Sequence, residues 1–126
     1  MSFLGRLFRR KPPASGDELS DLPTYWSWVS GDDPIAQFAG IGSIELVFRK
    51  HPEAIGGGEH RRSVVLLKSI LGGRSRGLQV LAIQALALIK AVDALPELLE
   101  KTSDGDPRVR EAAQKAMEKL REVAGQ

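Results

Sequence analysis

The stretch ALPELLEKTSDGDPRVREAAQKAMEKL, residues 94 to 120, decides the fold, because it reads as two helices joined by a short turn. Asp106 and Pro107 form a typical helix start: the aspartate accepts free backbone amides, and a proline at the first helical position has no amide to leave unpaired. After this pair the apolar residues recur with helical spacing, and no strand-like alternation competes. The stretch therefore predicts a helical hairpin.

The same frame occurs earlier in the chain. The stretch LPTYWSWVSGDDP, residues 22 to 34, begins with Leu-Pro and ends with Asp-Pro, as LPELLEKTSDGDP does at residues 95 to 107. Between them, LQVLAIQALALI at residues 78 to 89 matches VREAAQKAMEKL at residues 109 to 120. One hairpin cannot bury its own apolar face, so the copies must stack. The predicted hairpins cover 22–50, 59–90 and 94–124, and their first helices cover about 22–30, 59–71 and 94–102.

Residues 94–120 resemble a HEAT-type repeat, of the short bacterial kind that phycobilin-lyase-like proteins also contain. The likeness extends to residues 78–93 and is weaker in the first copy. The resemblance implies an all-α fold, a short right-handed α-solenoid of about three HEAT-like hairpins. It also implies that the second helices of the hairpins line one surface, which such proteins commonly use to bind proteins or peptides.

Two features of the copies concern how the hairpins stack. Small residues in the middle of each second helix, Gly40, Ala82 and Ala113, allow a neighbouring helix to approach closely. The family commonly stacks an aspartate and an arginine along the array, and only the last copy, with Asp106 and Arg110, fits that pattern. The corresponding pairs in the other copies are Asp33 with Gln37 and Ser75 with Gln79. We therefore expect apolar packing to provide most of the order between repeats.

The composition excludes several classes of protein. Charged residues make up 27% of the 126 residues and hydrophobic ones 42%, which is typical of a globular chain. Cysteine is absent, so neither a disulfide framework nor a thiolate metal site is available. The two histidines, His51 and His60, do not have the i, i+4 spacing of a metal-binding pair, and we expect both at exposed helix ends. We therefore predict a cytoplasmic protein without metal or cofactor.

No catalytic pattern is visible in the sequence. A Gly-x-Ser-x-Gly elbow, a paired-carboxylate cleft and a phosphate-binding loop are all missing. Gly56-Gly57-Gly58 precedes a helix but is followed by no Lys-Ser or Lys-Thr pair, and it reads as a plain loop. We therefore predict that the chain is not an enzyme. A minor alternative, a subunit of a bilin-lyase-like enzyme, follows from the family resemblance alone.

The second helices carry apolar residues opposite the predicted core seam. In the last copy these positions are polar, as a solvated face should be, with Glu111 and Gln114. In the two earlier copies they are apolar, and Trp28 aligns with Lys101 rather than with a core residue. The candidate partner-binding residues are Phe38, Ile41, Val80, Ile83 and Trp28. Three interpretations remain open: a binding strip, helices buried on all sides, or a surface covered by the protein's own N-terminus.

Two segments of the chain are basic. Residues 49–76 contain seven bases against two acids, and Arg61, Arg62, Arg74 and Arg76 are candidates for one basic edge of the solenoid. Such an edge would grip phosphates, so nucleic-acid binding through the loops around residues 61–76 is the alternative to protein binding. A solvated edge, an acidic protein patch or lipid headgroups would fit the same residues.

The other basic segment is the N-terminus, residues 1–11. It places Phe3, Leu4, Leu7 and Phe8 at helical spacing, with Arg6, Arg9 and Arg10 on the other side. Residues 12–21 read as a flexible linker before the repeat domain, which covers 22–126. The segment can dock on a partner protein or on the inner surface of a membrane, pack on the repeats themselves, or form an inert tail. From these observations we predict a non-catalytic adaptor that holds a partner segment on its second helices and is localised by its N-terminal helix.

Overall fold

The computed structural model describes residues 18–125, which form six α-helices and no strand. The six helices are α1 (Leu22–Ser30), α2 (Pro34–Lys50), α3 (Gly58–Leu71), α4 (Arg76–Leu88), α5 (Leu95–Lys101) and α6 (Pro107–Ala124). Three single turns of 3-10 helix lie at Leu19–Asp21, Pro52–Ala54 and Val92–Ala94. None of the described helices combines the length and hydrophobicity that a membrane span requires.

The predicted all-α solenoid of three hairpins is confirmed, and the first helices begin and end within one residue of the predicted positions. The helix starts use the expected caps. The Asp33 carboxylate accepts the Ile35 amide at 3.0 Å, and the Asp106 carboxylate accepts the Arg108 amide at 2.8 Å. The predicted basic segment, residues 1–11, lies outside the described residues. The linker prediction is wrong at its end, because Leu19–Asp21 already forms a helical turn against α1.

The helices form two layers. The second helices of the hairpins, α2, α4 and α6, pack side by side, and each also packs on the first helix of its own hairpin. In the other layer α1 packs on α3. The fully buried side chains between the layers include Leu22, Tyr25, Ile44, Leu67, Leu86, Leu98 and Leu120. The central helix α4 therefore has neighbours on three sides.

One polar side chain closes the turn of each hairpin. The Gln37 amide donates to the carbonyls of Val29 and Gly31 at 3.2 and 2.9 Å. At the equivalent position of the second hairpin, the Gln79 amide donates to the Gly73 carbonyl at 2.6 Å. Arg110 donates to the carbonyls of Asp104 and Gly105 at 2.9 and 3.2 Å. These side chains satisfy carbonyls within their own hairpin, so the family's Asp–Arg ladder is replaced by three separate turn closures.

Polar contacts also tie neighbouring hairpins together. Arg76 donates to both carboxylate oxygens of Asp104 at 2.9 Å, which joins the second hairpin to the third. The Trp26 indole donates to the Ser63 hydroxyl at 2.8 Å, which joins the first hairpin to the second. Backbone hydrogen bonding from Asp106, followed by the Arg76 charge, lowers the pKa of Asp104 below its ordinary value. The stack is thus held by directed contacts as well as by its apolar core.

A pair of glycines on α2 tests the close approach of α1 and α2. A Cβ added at Gly40 would lie 2.8 Å from Cγ2 of Val29 and 3.0 Å from the Tyr25 carbonyl oxygen, whereas one added at Gly42 would meet nothing within 4 Å. We expect Gly40→Ala to destabilise the chain by about 1–3 kcal/mol, because the two helices must separate. Gly42→Ala should stabilise it by about 0.5–1 kcal/mol through helix propensity. Urea denaturation measures the change in the free energy of unfolding for each variant. Equal changes for the two variants would contradict the tight α1–α2 contact.

Candidate functional site

The exposed face of the second helices lies elsewhere than the sequence predicts. Ile41 and Ile83, expected on the binding strip, are 2% and 0% exposed, whereas the equivalent Gln114 of α6 is exposed. Residues at this position face the next second helix of the stack, which buries Ile41 and Ile83. Gln114 stays exposed because no described helix follows α6. The prediction that Ile41 and Ile83 are available to a partner is therefore wrong: a helix with neighbours on three sides exposes only a narrow face.

The other predicted partner-binding residues differ in their exposure. Phe38 is 60% exposed, as expected. Val80 and Trp28 are half-buried and pack against the core cluster. Trp28 also contacts Tyr25, with the ring centroids 5.4 Å apart and the rings tilted at 56°. The interpretation of Trp28 as a residue outside the core is therefore only partly right, since much of its surface is covered by packing on its own helix pair.

Three large apolar side chains that the sequence analysis did not single out are exposed on the second helices. Ile35 is 80% exposed at the start of α2, and Leu46 on α2 and Leu88 on α4 are partly exposed as well. The signal that identifies this face is present in the last copy. There the positions equivalent to Ile35 and Leu46 are Arg108 and Lys119, both charged and exposed. A charged residue in the copy with the most regular pattern marks the outward direction of the helix.

Ile35 and Phe38 border an apolar groove between α2 and α4. Its cavity measures about 400 Å³, and its lining residues are Pro34, Ile35, Phe38, Ser75, Gly77, Leu78 and Leu81. The groove has a cause in the sequence. Gly77 stands where α2 has Ile35 and α6 has Arg108, so α4 contributes no side chain at the point where α2 contributes a large one. The resulting gap leaves Ile35 and Phe38 uncovered on one side.

A smaller depression continues the same face between α4 and α6. Its cavity measures about 230 Å³, and its lining residues are Gln84, Ala87, Leu88, Ala112, Lys115, Ala116 and Lys119. Burial raises the pKa of Glu45 on α2, and the charges of Arg49 and Lys119 partly offset that effect. Because Lys119 belongs to α6, its charge acts on α2 across α4. Two lysines border this depression on its α6 side: Lys119, and Lys115, which pairs with Glu111 at 3.2 Å.

The four arginines predicted as a basic edge are not brought together. Arg61 and Arg62 lie near the start of α3, whereas Arg74 and Arg76 follow the end of that helix, about 15 Å away along its axis. Arg61 donates to the Gly56 carbonyl at 2.9 Å, and the Arg62 guanidinium lies 5.1 Å from the centre of the Trp26 ring. Arg76 is paired with Asp104. Of these four arginines, Arg74 is the one whose side chain makes no hydrogen bond, ion pair or ring contact with the described residues.

The two histidines are not equivalent. His60, expected at an exposed helix end, is only 7% exposed; its Nε2 lies 2.7 Å from the Ile89 carbonyl oxygen, and its ring meets the Phe48 ring edge to face at 5.2 Å. That expectation is wrong because the start of α3 packs under the end of α4. His51 is half-buried and pairs with Glu53 at 3.2 Å. Within residues 18–125, no group of three or more histidine, aspartate or glutamate side chains could hold a metal ion.

One carboxylate is strongly perturbed without belonging to the groove. Hydrogen bonds from the side chain and the backbone amide of Arg108 lower the pKa of Asp106 to about 2. The Arg108 guanidinium lies 2.9 Å from the Asp106 carboxylate. The arrangement stabilises the start of α6, where the free amides favour a negative charge. Asp106 is therefore a structural cap, and its perturbation is no sign of catalysis.

Comparison with known proteins gives one match. Residues 64–125 match the family model for HEAT repeats. Neither curated proteins nor solved structures gave a significant match. The matched region begins within α3 and contains α4 and α6, and so it includes the α4 side of the groove. The α2 side, with Ile35 and Phe38, belongs to the first hairpin, upstream of the matched residues.

Proposed function

Because the chain is a HEAT-like repeat protein, we propose that it is a non-catalytic adaptor which holds an apolar segment of a partner protein in the groove between α2 and α4. HEAT repeats commonly mediate protein–protein interaction, and stacked hairpins provide an extended surface for it. The proposal differs from the sequence prediction in its residues: Ile35, Phe38 and Leu81 replace the buried Ile41 and Ile83.

The observation that carries the proposal is the exposure of two large apolar side chains beside a cavity. Ile35 and Phe38 are 80% and 60% exposed, and both border the groove. Single exposed apolar residues are ordinary, but apolar residues grouped around a concave surface are typical of binding sites. The other strongly exposed ones, Val65 on α3 and Leu99 on α5, lie on first helices and line none of the described cavities.

The surroundings of the groove define the chemistry of the partner segment. Asp32 and Asp33 are exposed at the start of α2, and Lys115 and Lys119 border the depression at the far end of the same face. A helix lying in the groove would present apolar residues three and four positions apart to Ile35, Phe38 and Leu81. We propose an amphipathic partner helix with basic residues at the α2 end and acidic residues at the α6 end, because these charges attract their opposites.

Photo-crosslinking identifies the partner and tests the site at once. The benzophenone amino acid p-benzoylphenylalanine is placed at position 38, where it replaces another aromatic, and in a matched variant at position 65, which is exposed to a similar degree on α3. After irradiation in a native lysate, we expect a discrete protein adduct from the position 38 variant and none from the position 65 variant. Adducts of the same protein from both positions, or from neither, would contradict a partner site in the groove.

A further inference from the structure

We propose that residues 2–10 of the same chain dock in the α2–α4 groove and occupy it until a partner displaces them. The docking itself stands on the groove and on the sequence of the segment. Only the statement that it regulates partner binding rests on the proposed function. The groove would thus bind a segment of its own chain before it binds a partner.

The position of the segment in the chain allows it to reach the groove. The described residues begin at Glu18, before the Leu19–Asp21 turn and α1, which together are about 20 Å long. The groove lies at the far end of α1, because α2 begins at Pro34 immediately after the connecting turn. Residues 11–17 span up to about 23 Å when extended. The linker is therefore long enough to bring residues 2–10 back along α1 to Pro34 and Ile35.

The chemistry of the segment complements that of the groove. Phe3, Leu4, Leu7 and Phe8 recur with helical spacing, and the groove offers Ile35, Phe38, Leu78 and Leu81 as an apolar counterpart. The charges fit as well: residues 1–11 carry four bases and no acid, whereas residues 12–48 carry six acids and no base. Asp32 and Asp33 are exposed beside the groove. Arginines on the polar side of a docked helix would therefore meet carboxylates at its α2 end.

The tether makes even a weak contact effective. A short flexible linker holds a ligand at a local concentration in the millimolar range. A segment that binds the groove with a millimolar dissociation constant would then occupy it about half of the time, although the same peptide added in solution would bind poorly. Such an occupant excludes weak apolar contacts but yields to a partner of higher affinity, because the partner competes only against that partial occupancy.

Paramagnetic broadening in the full chain tests the docking without any partner. The chain has no cysteine, so Ser2→Cys provides a single site for a nitroxide label. We expect the amide signals of Ile35, Phe38 and Gly77 to lose most of their intensity, and those of Val65 on α3 to keep theirs. Adding Leu4→Glu with Leu7→Glu should restore the lost signals. The matched control, Ala14→Glu with Ser15→Glu, introduces the same charges into the linker and should leave the broadening in place.

Each alternative occupant gives a distinct result that overturns the proposal. In a mixture, a ¹⁵N chain without the nitroxide is observed beside a ¹⁴N chain that carries it. Broadening of the ¹⁵N signals in this mixture would show that the segment docks on a second copy of the chain. No broadening of α2 and α4, with sedimentation of the chain on phosphatidylserine vesicles, would assign it to a lipid surface. No broadening and no sedimentation would leave an inert tail. Crosslinking of a partner at position 38 without broadening would contradict the docking and leave the proposed function intact. Broadening without a crosslinked partner would support the docking and contradict the proposed function.

Discussion

Replacing Ile83 with aspartate is expected to unfold the repeat domain. Ile83 is 0% exposed at the middle of α4, the helix with second-helix neighbours on both sides. Loss of a buried isoleucine side chain costs about 2–5 kcal/mol, and an unpaired buried carboxylate adds several more. Together these approach the about 5–15 kcal/mol by which a domain of this size is stable. Loss of the helical circular dichroism signal at 25 °C, in the absence of denaturant, measures the effect.

The matched control is Ile35→Asp, which makes the same chemical change at a side chain that is 80% exposed. Its effect on the free energy of unfolding should stay within about 0.5 kcal/mol. An acid in the first turn of α2 is even favourable for the helix start. A folded Ile83→Asp chain with the urea midpoint of the unaltered protein would show that α4 exposes this residue, and would contradict the described packing of α4 against α6.

The fold was predictable because its signals are local. An aspartate followed by proline specifies where α2 and α6 begin, whatever the rest of the chain does. The recurrence of small residues at Gly40, Ala82 and Ala113 then specifies that something packs closely there. Three copies of one frame leave stacking as the way to bury the apolar faces, so helix bounds and architecture follow from the sequence alone.

The exposed face was not predictable from one helix at a time. The positions of Ile41 and Ile83 lie opposite the seam with the first helices, and a helix packed on one side would expose them. In the stack the next second helix covers those positions, and the exposed face turns towards Ile35 and Leu46. Only Gln114, at the end of the described array, keeps the exposure that the single-helix pattern predicts. The error is a property of the stack and not of the helix.

Charged residues show the same limit. Arg76 reads as part of a basic patch, yet its partner Asp104 follows in the next hairpin and takes up its charge. Arg62 likewise lies against Trp26, from the preceding hairpin. The sequence places these residues in loops and first turns, but pairing between repeats depends on how far each hairpin is displaced along the stack. A count of bases along the chain therefore overestimates the basic surface that remains for nucleic acid.

Substituting both exposed groove residues, Ile35→Asp with Phe38→Asp, is expected to weaken partner binding about 100-fold. Truncation of a central apolar anchor commonly costs more than about 1 kcal/mol, and about 1.4 kcal/mol corresponds to a tenfold change in affinity. Two anchors at about 1.4 kcal/mol each give the expected factor. The fold should persist, because both side chains are more than half exposed. The partner recovered by crosslinking at position 38 serves as the ligand.

The control for this substitution carries the same two charges on the other layer. Val65→Asp with Leu99→Asp changes side chains that are 62% and 57% exposed on α3 and α5, away from the groove. Its net charge matches that of the groove variant, so long-range attraction of the partner changes alike in both. We expect its affinity for the partner to stay within about threefold of that of the unaltered chain, since exposed positions away from an interface contribute little.

The most direct measurement of where binding occurs is calorimetric titration into these two variants. The ligand is the partner protein that crosslinking identifies, purified without the crosslink. The groove assignment predicts a loss of about two orders of magnitude for the Ile35 and Phe38 variant and unchanged binding for the Val65 and Leu99 variant. Equal affinity of both variants for the partner, with the helical signal intact in each, would contradict a binding site between α2 and α4.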